Sequence, residues 1–75
     1  MLKFTVVFEK SEEGGYIVRV PALPGCITQG ETFEEAEKMA KDAIKAYCAS
    51  LKKHKEPIPI EGSEIIESIS IPLPA

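Results

Sequence analysis

Hydrophobic and polar residues alternate from the second residue of the chain, a period of two that is typical of a β-strand with one buried side. The alternation predicts a first strand over residues 2–9, with one side formed by Leu2, Phe4, Val6 and Phe8. A polar turn containing Gly14 and Gly15 follows, and residues 16–20 resume the alternation. We therefore predict a β-hairpin, followed after a turn by a third, shorter strand over residues 26–29.

The hydrophobic period lengthens to three or four residues after Thr32, which is typical of an amphipathic helix. Thr32 and Glu35 form a capping-box pattern, in which the hydroxyl accepts from the Glu35 amide and the carboxylate reaches back. Acidic residues near the start and lysines near the end agree with the helix dipole. We predict a helix from Phe33 to about Lys53, with an apolar stripe of Phe33, Ala36, Ala40, Ala43, Ile44, Tyr47 and Leu51.

Prolines divide the last third of the chain into a connector and a final segment. Pro57 and Pro59 cannot continue a helix, so the residues around them are expected to be extended. The isoleucine-rich residues 64–71 predict a last strand, which Pro72 and Pro74 end. A right-handed crossover would place this strand parallel to the first. We thus predict one α+β domain over residues 1–75, with the order β-β-β-α-β, a four-stranded mixed sheet of order 3-2-1-4 and one long helix on one face.

A second set of hydrophobic residues is out of phase with those expected in the core. A chain of 75 residues buries a smaller share of its surface than larger domains do, so association is the expected source of further burial. Exposed apolar patches often mark such interaction sites. We predict that the uncovered sheet face, or the edge of the fourth strand, is the interface of a dimer or tetramer, formed by Val7, Ile17, Ile27 and Ile66.

The loop between the second and third predicted strands carries the most specific pattern in the sequence. Pro21 halts the preceding strand because it lacks an amide hydrogen, and Pro24-Gly25 favours a type II turn. The order of a strand, Pro-x-Leu-Pro-Gly-Cys, and then Thr-x-Gly-x-Thr-x-x-Glu-Ala opening a long helix resembles the HicB-like antitoxin family. The resemblance rests on Tyr16, Pro21, Leu23, Pro24, Gly25, Cys26, Thr28, Gly30, Thr32, Glu35 and Ala36.

This resemblance implies a partial RNase H-like fold and a partner, a small basic HicA-type toxin that cleaves messenger RNA. The antitoxin would cover the toxin's functional histidine and RNA-binding groove, which requires no catalytic residue of its own. Family members tend to self-associate. Many also continue into a ribbon-helix-helix or helix-turn-helix DNA-binding segment; this sequence ends at Ala75, so we do not expect direct DNA binding. Candidate contacts with the toxin are Arg19, Pro21, Leu23, Pro24 and Thr28.

The charge balance favours a basic partner over nucleic acid. Twelve acidic residues stand against nine lysines and arginines, for a net charge of −3 and a pI near 5.1. Affinity for phosphate backbones depends mainly on lysine and arginine, which this composition does not supply in excess. The sequence has no apolar run long enough for a bilayer and no secretory signal pattern, so we expect a soluble cytoplasmic protein.

The residues that could carry chemistry do not form a recognisable constellation. Cys26 and Cys48 lack the spacing of metal ligands and are expected to be reduced and buried. His54 is expected to be a solvated cation at the helix end. A two-metal nuclease needs converging carboxylates, and Glu9 and Glu35 have structural explanations, which makes residual nuclease activity a remote alternative. We predict no catalytic residue, no metal ion and no cofactor, and therefore no enzyme.

Arg19 is the only arginine and alternates away from the core side of its strand. Partner recognition and a surface ion pair with Glu9 across the hairpin are equally compatible with this position. Two functions stay open at the level of sequence. One is an antitoxin, and the other is an orphan homo-oligomeric structural or ligand-binding domain without a toxin partner.

Overall fold

The chain folds as a small sheet with one long helix against it. The computed structural model describes residues 2–61 and 65–74. Its elements follow in the order β1 (Val7–Lys10), β2 (Tyr16–Arg19), β3 (Ile27–Gly30) and α1 (Phe33–Lys53). The three strands form an antiparallel sheet of order β1-β2-β3, and α1 packs against β2 and β3. The fold class is therefore α+β with two layers.

The register of the sheet separates its two faces. Phe8 lies opposite Val18, and Val18 lies opposite Thr28 in the next strand. Val18 is fully buried against the helix, so this row of side chains points toward α1. Successive side chains of a strand point to opposite faces. The neighbouring row, formed by Val7, Arg19 and Ile27, therefore points away from the helix.

Two consecutive turns connect β2 to β3. The amide of Leu23 donates to the carbonyl of Val20, and the amide of Cys26 donates to the carbonyl of Leu23, both across 2.9 Å. Gly25 has a φ of 79°, and a positive φ is required at the third position of a type II turn. The second turn thus agrees with the type II turn predicted at Pro24-Gly25.

The start of α1 is capped as the sequence predicts. The Thr32 hydroxyl accepts a hydrogen bond from the Glu35 amide across 3.0 Å. The Glu35 carboxylate reaches back to the amide of Glu31 across 3.3 Å, one residue earlier than in the usual capping box. The ring of Phe33 lies 4.8 Å from that of Phe8, between ring centroids, which holds the first turn against β1.

The core consists of two clusters beneath the helix. The first contains Val18, Ala36 and Ala40, and the second contains Val20, Leu23 and Cys26. The short alanine side chains let the helix approach the sheet closely. At Gly30, an added Cβ atom would lie 2.4 Å from the amide nitrogen of Ala36. Since no real side chain tolerates that distance, glycine is a steric requirement there.

The predicted fourth strand is wrong, and so is the four-stranded mixed sheet of order 3-2-1-4. The sheet has three antiparallel strands, and residues 65–71 form no strand. Glu64, the first residue of that prediction, lies outside the described residues. Isoleucine fits a half-buried pleated surface, yet a strand exists only where a neighbour supplies hydrogen bonds and burial. None of the residues that the structure describes does so here, and the isoleucines of this stretch are 69% to 90% exposed.

The predicted bounds of the helix are confirmed, whereas the predicted start of the first strand is wrong. The helix runs from Phe33 to Lys53, as predicted. The first strand begins at Val7 instead of residue 2. Continuing the observed register would place Thr5 opposite Pro21, which has no amide hydrogen to donate, so the ladder ends before that pair. The third strand is shifted by one residue, to Ile27–Gly30.

Candidate partner-binding surface

The sheet face that α1 leaves uncovered is the first candidate surface. Two rows of paired residues form it. The central strand contributes Ile17, which is 46% exposed, and the β3 edge contributes Ile27, which is 66% exposed. Both are large apolar side chains in contact with solvent. We call this surface the open face, formed by Val7, Glu9, Ile17, Arg19, Ile27 and Gln29.

Arg19 and Glu9 form an ion pair on the open face. The Nε and Nη2 atoms of Arg19 each lie 3.2 Å from Oε1 of Glu9. This pair confirms the surface ion pair considered from the sequence, whereas partner recognition by Arg19 stays a prediction. Both side chains are more than half exposed, and such pairs are worth only about 0–1 kcal/mol. The pair therefore contributes little to the stability of the fold and leaves the guanidinium accessible on the open face.

The open face adjoins an acidic hollow beside the start of α1. The hollow measures about 510 Å³, and Ile17 and Gln29 line it as well as the open face. Its carboxylates belong to Glu13, Glu31 and Glu35. An apolar centre with a charged margin is the usual anatomy of a protein–protein interface. The margin here is negative, so the combined surface suits a partner with basic side chains.

The loop residues predicted to contact a toxin occupy different environments. Pro21 and Pro24 are exposed at the end of the sheet. Leu23 is only 1% exposed, in the core beneath α1. Thr28 is half-buried and lies opposite Val18, on the helix side of the sheet. Pro21 and Pro24 therefore offer side chains at the surface, while Leu23 supports the loop from below.

The four residues predicted to form an oligomer interface do not share one surface. Val7, Ile17 and Ile27 lie together on the open face. Ile66 is 69% exposed and belongs to residues 65–74, outside the sheet. The prediction that Ile66 joins the face depended on the fourth strand, so the structure does not bring it there.

A second apolar surface was missed by the sequence reasoning. A groove of about 510 Å³ runs between the N-terminal residues and α1, and its apolar lining comprises Leu2, Phe4, Val6, Phe8, Ala40 and Ile44. Lys41, Lys45 and Glu37 also line it. The alternation of residues 2–8 predicted that these side chains are buried, so it gave no sign of a groove beside them. We call it the apolar groove.

The side chains considered for catalysis, Glu9, Glu35 and His54, make structural contacts instead. Glu9 pairs with Arg19, and Glu35 caps the helix. The Nδ1 atom of His54 lies 2.8 Å from the carbonyl oxygen of Ser50, at the helix C-cap. Within residues 2–61 and 65–74, no group of three or more histidine, cysteine, aspartate or glutamate side chains is placed to hold a metal ion.

Both cysteines are reduced thiols near the second core cluster. Cys26 is buried within it, and the half-buried Cys48 packs against it. Burial raises the pKa of the Cys26 thiol, and a charged Cys48 beside it would raise that pKa further. Reactive cysteines need a lowered pKa, so this environment keeps Cys26 unreactive.

Comparison with known proteins identifies the family. The model of the HicB-like antitoxin of bacterial toxin–antitoxin systems matches residues 4–72. The chain belongs to this family. The residues of the double turn and the helix cap, which carried the resemblance, all lie inside the match.

Relatives in the family fall into two size groups. A UPF0150 protein of Thermoplasma acidophilum is 55% identical over 65 residues, which cover 87% of this chain and 94% of that protein. Antitoxin HicB 1 of Photorhabdus laumondii is 38% identical over 72 residues, covering 96% of this chain but 46% of that antitoxin. Antitoxin HicB of Escherichia coli is 42% identical over 43 residues, 57% of this chain and 31% of its own length. This chain therefore corresponds to less than half of the relatives that are named antitoxins.

The family assignment agrees with a non-enzymatic role.

Among the residues that the structure describes, no helix is both long enough and apolar enough to cross a membrane. The conspicuous features of this HicB-like chain are its two exposed apolar surfaces, the open face and the apolar groove.

Proposed function

We propose that this chain is the antitoxin of a type II toxin–antitoxin pair, which neutralises a small basic HicA-like, mRNA-cleaving toxin by steric occlusion. Family membership supports the antitoxin role. The observation that carries the choice of surface is the open face, where exposed Ile17 and Ile27 adjoin the acidic hollow. Such a toxin acts on messenger RNA, so the proposed place of action is the cytoplasm.

The physical basis of this binding is an apolar centre with an acidic margin. Burial of Ile17 and Ile27 against a partner would supply affinity, since burying such a side chain contributes about 1.5–3 kcal/mol. Glu13, Glu31 and Glu35 would attract basic side chains and favour a fast encounter. The net charge of −3 acts in the same direction. Occlusion needs only a stable surface of this kind and no catalytic group.

Arg19 and the exposed prolines extend the proposed contact. Arginine is enriched at interface hot spots because its planar guanidinium forms paired hydrogen bonds and stacks. Glu9 holds the guanidinium on the open face, between the apolar side chains. Pro21 and Pro24 are exposed at the loop end of the sheet and present rigid backbone there.

The test is co-expression with a small basic protein encoded beside this gene. The unmodified chain should restore growth to cells that express the toxin, and it should copurify with the toxin. Ile17→Glu and Ile27→Glu should each weaken binding at least about tenfold, because a buried, unpaired carboxylate opposes association. Ala46→Glu is the matched control, since it adds the same charge at an exposed position of α1. Undiminished binding by both open-face variants would assign the toxin to another surface.

A second candidate function is a homo-oligomeric structural or ligand-binding domain without a toxin. The observation that favours it is the exposed apolar surface on both the open face and residues 65–74, which self-association would bury without any toxin. Purification from native cells followed by mass spectrometry separates the two. A stoichiometric basic partner supports the antitoxin, whereas recovery of the chain alone as an oligomer supports this alternative.

A further inference from the structure

The two thiols of the chain meet at the contact between the double turn and the helix. Cys26 lies at the end of the double turn and is buried in the second core cluster. Cys48 lies on α1, is half-buried and packs against the same cluster. Burial raises the pKa of the Cys26 thiol, and a charged Cys48 raises it further, which is the effect of a nearby like charge. The two thiols are therefore neighbours, although they belong to different elements.

The backbone around both cysteines is held in place by other contacts. The hydroxyl of Tyr47, the residue before Cys48, donates a hydrogen bond to the carbonyl oxygen of Pro24. The amide of Cys26 donates to the carbonyl of Leu23. A disulfide forms only where the two backbones already lie close together. Here that closeness is set by the tyrosine tether and the turn, without any contribution from the thiols themselves.

The two thiols differ in their access to solvent. A small reagent can reach the half-buried Cys48, whereas Cys26 is covered by the core. An external reagent therefore reacts at Cys48 first. Cys26 is unreactive toward reagents in solution, but a group already attached to its neighbour needs no access from solvent, because proximity makes the second step intramolecular.

We propose that Cys26 and Cys48 form an intramolecular disulfide when the chain meets a small soluble disulfide, and that this bond holds the double turn to α1. First the Cys48 thiolate attacks one sulfur of the reagent, which forms a mixed disulfide and releases one small thiolate. The Cys26 thiolate then attacks the Cys48 sulfur and releases the second small thiolate. The protein gives two electrons to the reagent, and its two thiol protons pass through solvent to the two released thiolates.

The bond would act on the loop between β2 and β3. It would close a covalent loop that contains β3 and most of α1. The contact now made by apolar packing and one hydrogen bond would then be covalent, so the turn could no longer separate from the helix. The modification concerns this chain alone and does not depend on a toxin.

The first experiment identifies the bond by mass spectrometry. The full chain is treated with oxidised glutathione, blocked by alkylation and digested with trypsin. Cleavage after lysine and arginine places Cys26 in residues 20–38 and Cys48 in residues 46–52. These two peptides should be recovered joined to each other from a single copy of the chain.

A matched control moves one thiol to the exposed side of the helix. Cys48→Ala combined with Ala49→Cys keeps two thiols, but Ala49 is exposed. The relocated thiol should therefore stop at the mixed disulfide with glutathione. Absence of joined peptides in the unmodified chain, or equal joining in the control, overturns the proposal.

Single substitutions test the order of the two steps. Cys26→Ser removes the second nucleophile, so the mixed disulfide should accumulate at Cys48. Cys48→Ser leaves only the buried thiol, and glutathione should be added to it at least about tenfold more slowly than to Cys48 in the Cys26→Ser variant. Equal rates in the two variants overturn the assignment of Cys48 as the first nucleophile.

Hydrogen exchange tests the effect on the double turn. Oxidation should slow exchange of the Leu23 and Cys26 amides, which donate within the double turn, at least about tenfold. The Gly14 amide donates to the carbonyl of Ser11 in the turn between β1 and β2, and it should keep its rate. Equal slowing at all three amides, or no slowing at Leu23 and Cys26, overturns the local effect.

Discussion

The hydroxyl of Tyr47 donates a hydrogen bond to the carbonyl oxygen of Pro24 across 2.8 Å. This bond joins the second half of α1 to the double turn between β2 and β3, 23 residues away in sequence. Leu23 and Cys26 are buried beneath the contact. The turn is therefore held by apolar burial from below and by a polar tether from the helix.

Removing the Tyr47 hydroxyl should destabilise the fold moderately. We expect Tyr47→Phe to lower the free energy of unfolding by about 1 kcal/mol, since the ring packing is retained and one hydrogen bond is lost. Urea denaturation followed by circular dichroism measures the change. Tyr16→Phe is the control, because the Tyr16 hydroxyl has no hydrogen-bond partner within the part of the chain that the structure describes. Equal effects of both substitutions would contradict the assigned role.

Gly30 should tolerate no side chain. An added Cβ would lie 2.4 Å from the nitrogen and 2.6 Å from the Cα atom of Ala36, so Gly30→Ala must force the helix from the sheet. We expect a loss of roughly 3 kcal/mol or more in unfolding free energy.

Gly25→Ala provides the comparison for Gly30→Ala. Gly25 has a φ of 79° and no atom within 4 Å of the added Cβ, so its cost comes from the backbone alone and should be about 1 kcal/mol. If the two variants are equally stable in thermal denaturation, the close contact between Gly30 and Ala36 is not the limiting feature.

Thr32 should contribute through its hydroxyl as the N-cap of α1. Thr32→Ala is expected to lower the unfolding free energy by about 1 kcal/mol, because the Glu35 amide loses its acceptor. Thr32→Ser keeps that acceptor and should retain most of the stability. Denaturant titrations of the two variants measure the difference, and a serine variant as unstable as the alanine variant argues against capping.

Cys26 should make the fold less stable at alkaline pH. Burial raises its pKa, so the folded chain keeps the thiol proton at pH values where the unfolded chain has lost it. The unfolding free energy should therefore fall as the pH rises above about 8.5, the ordinary thiol pKa. Urea titrations at pH 7 and pH 9.5 measure this fall, and Cys26→Ala should remove its contribution.

At pH 8, alkylation should be slower at buried Cys26 than at half-buried Cys48.

Local patterns were sufficient for most elements of the fold. The apolar period fixed α1 at Phe33–Lys53, and Thr32 with Glu35 marked its start. Alternation identified the hairpin and placed Ile17 and Ile27 away from the core, where the structure has them. These features depend on residues near each other in sequence, so the sequence expresses them directly.

The site was only partly accessible to the same reasoning. The pair of Arg19 and Glu9 followed from the hairpin register, which alternation sets. Leu23 has no strand or helix period around it, so its near-complete burial depended on the path of the double turn beneath α1. The apolar groove was hidden because residues 2–8 carry the pattern of a covered strand.

The sequence by itself determined the family, the helix, the hairpin and the type II turn, because each is encoded in a short run of residues. Tertiary structure alone decided that Gly30 must touch Ala36, that Leu23 is core, and that residues 65–71 have no partner strand. Strand pairing and burial depend on contacts between segments that are far apart in sequence. No short run of residues encodes those contacts. Isoleucine-rich residues can therefore carry the composition of a strand and still be exposed, as they are in residues 65–71.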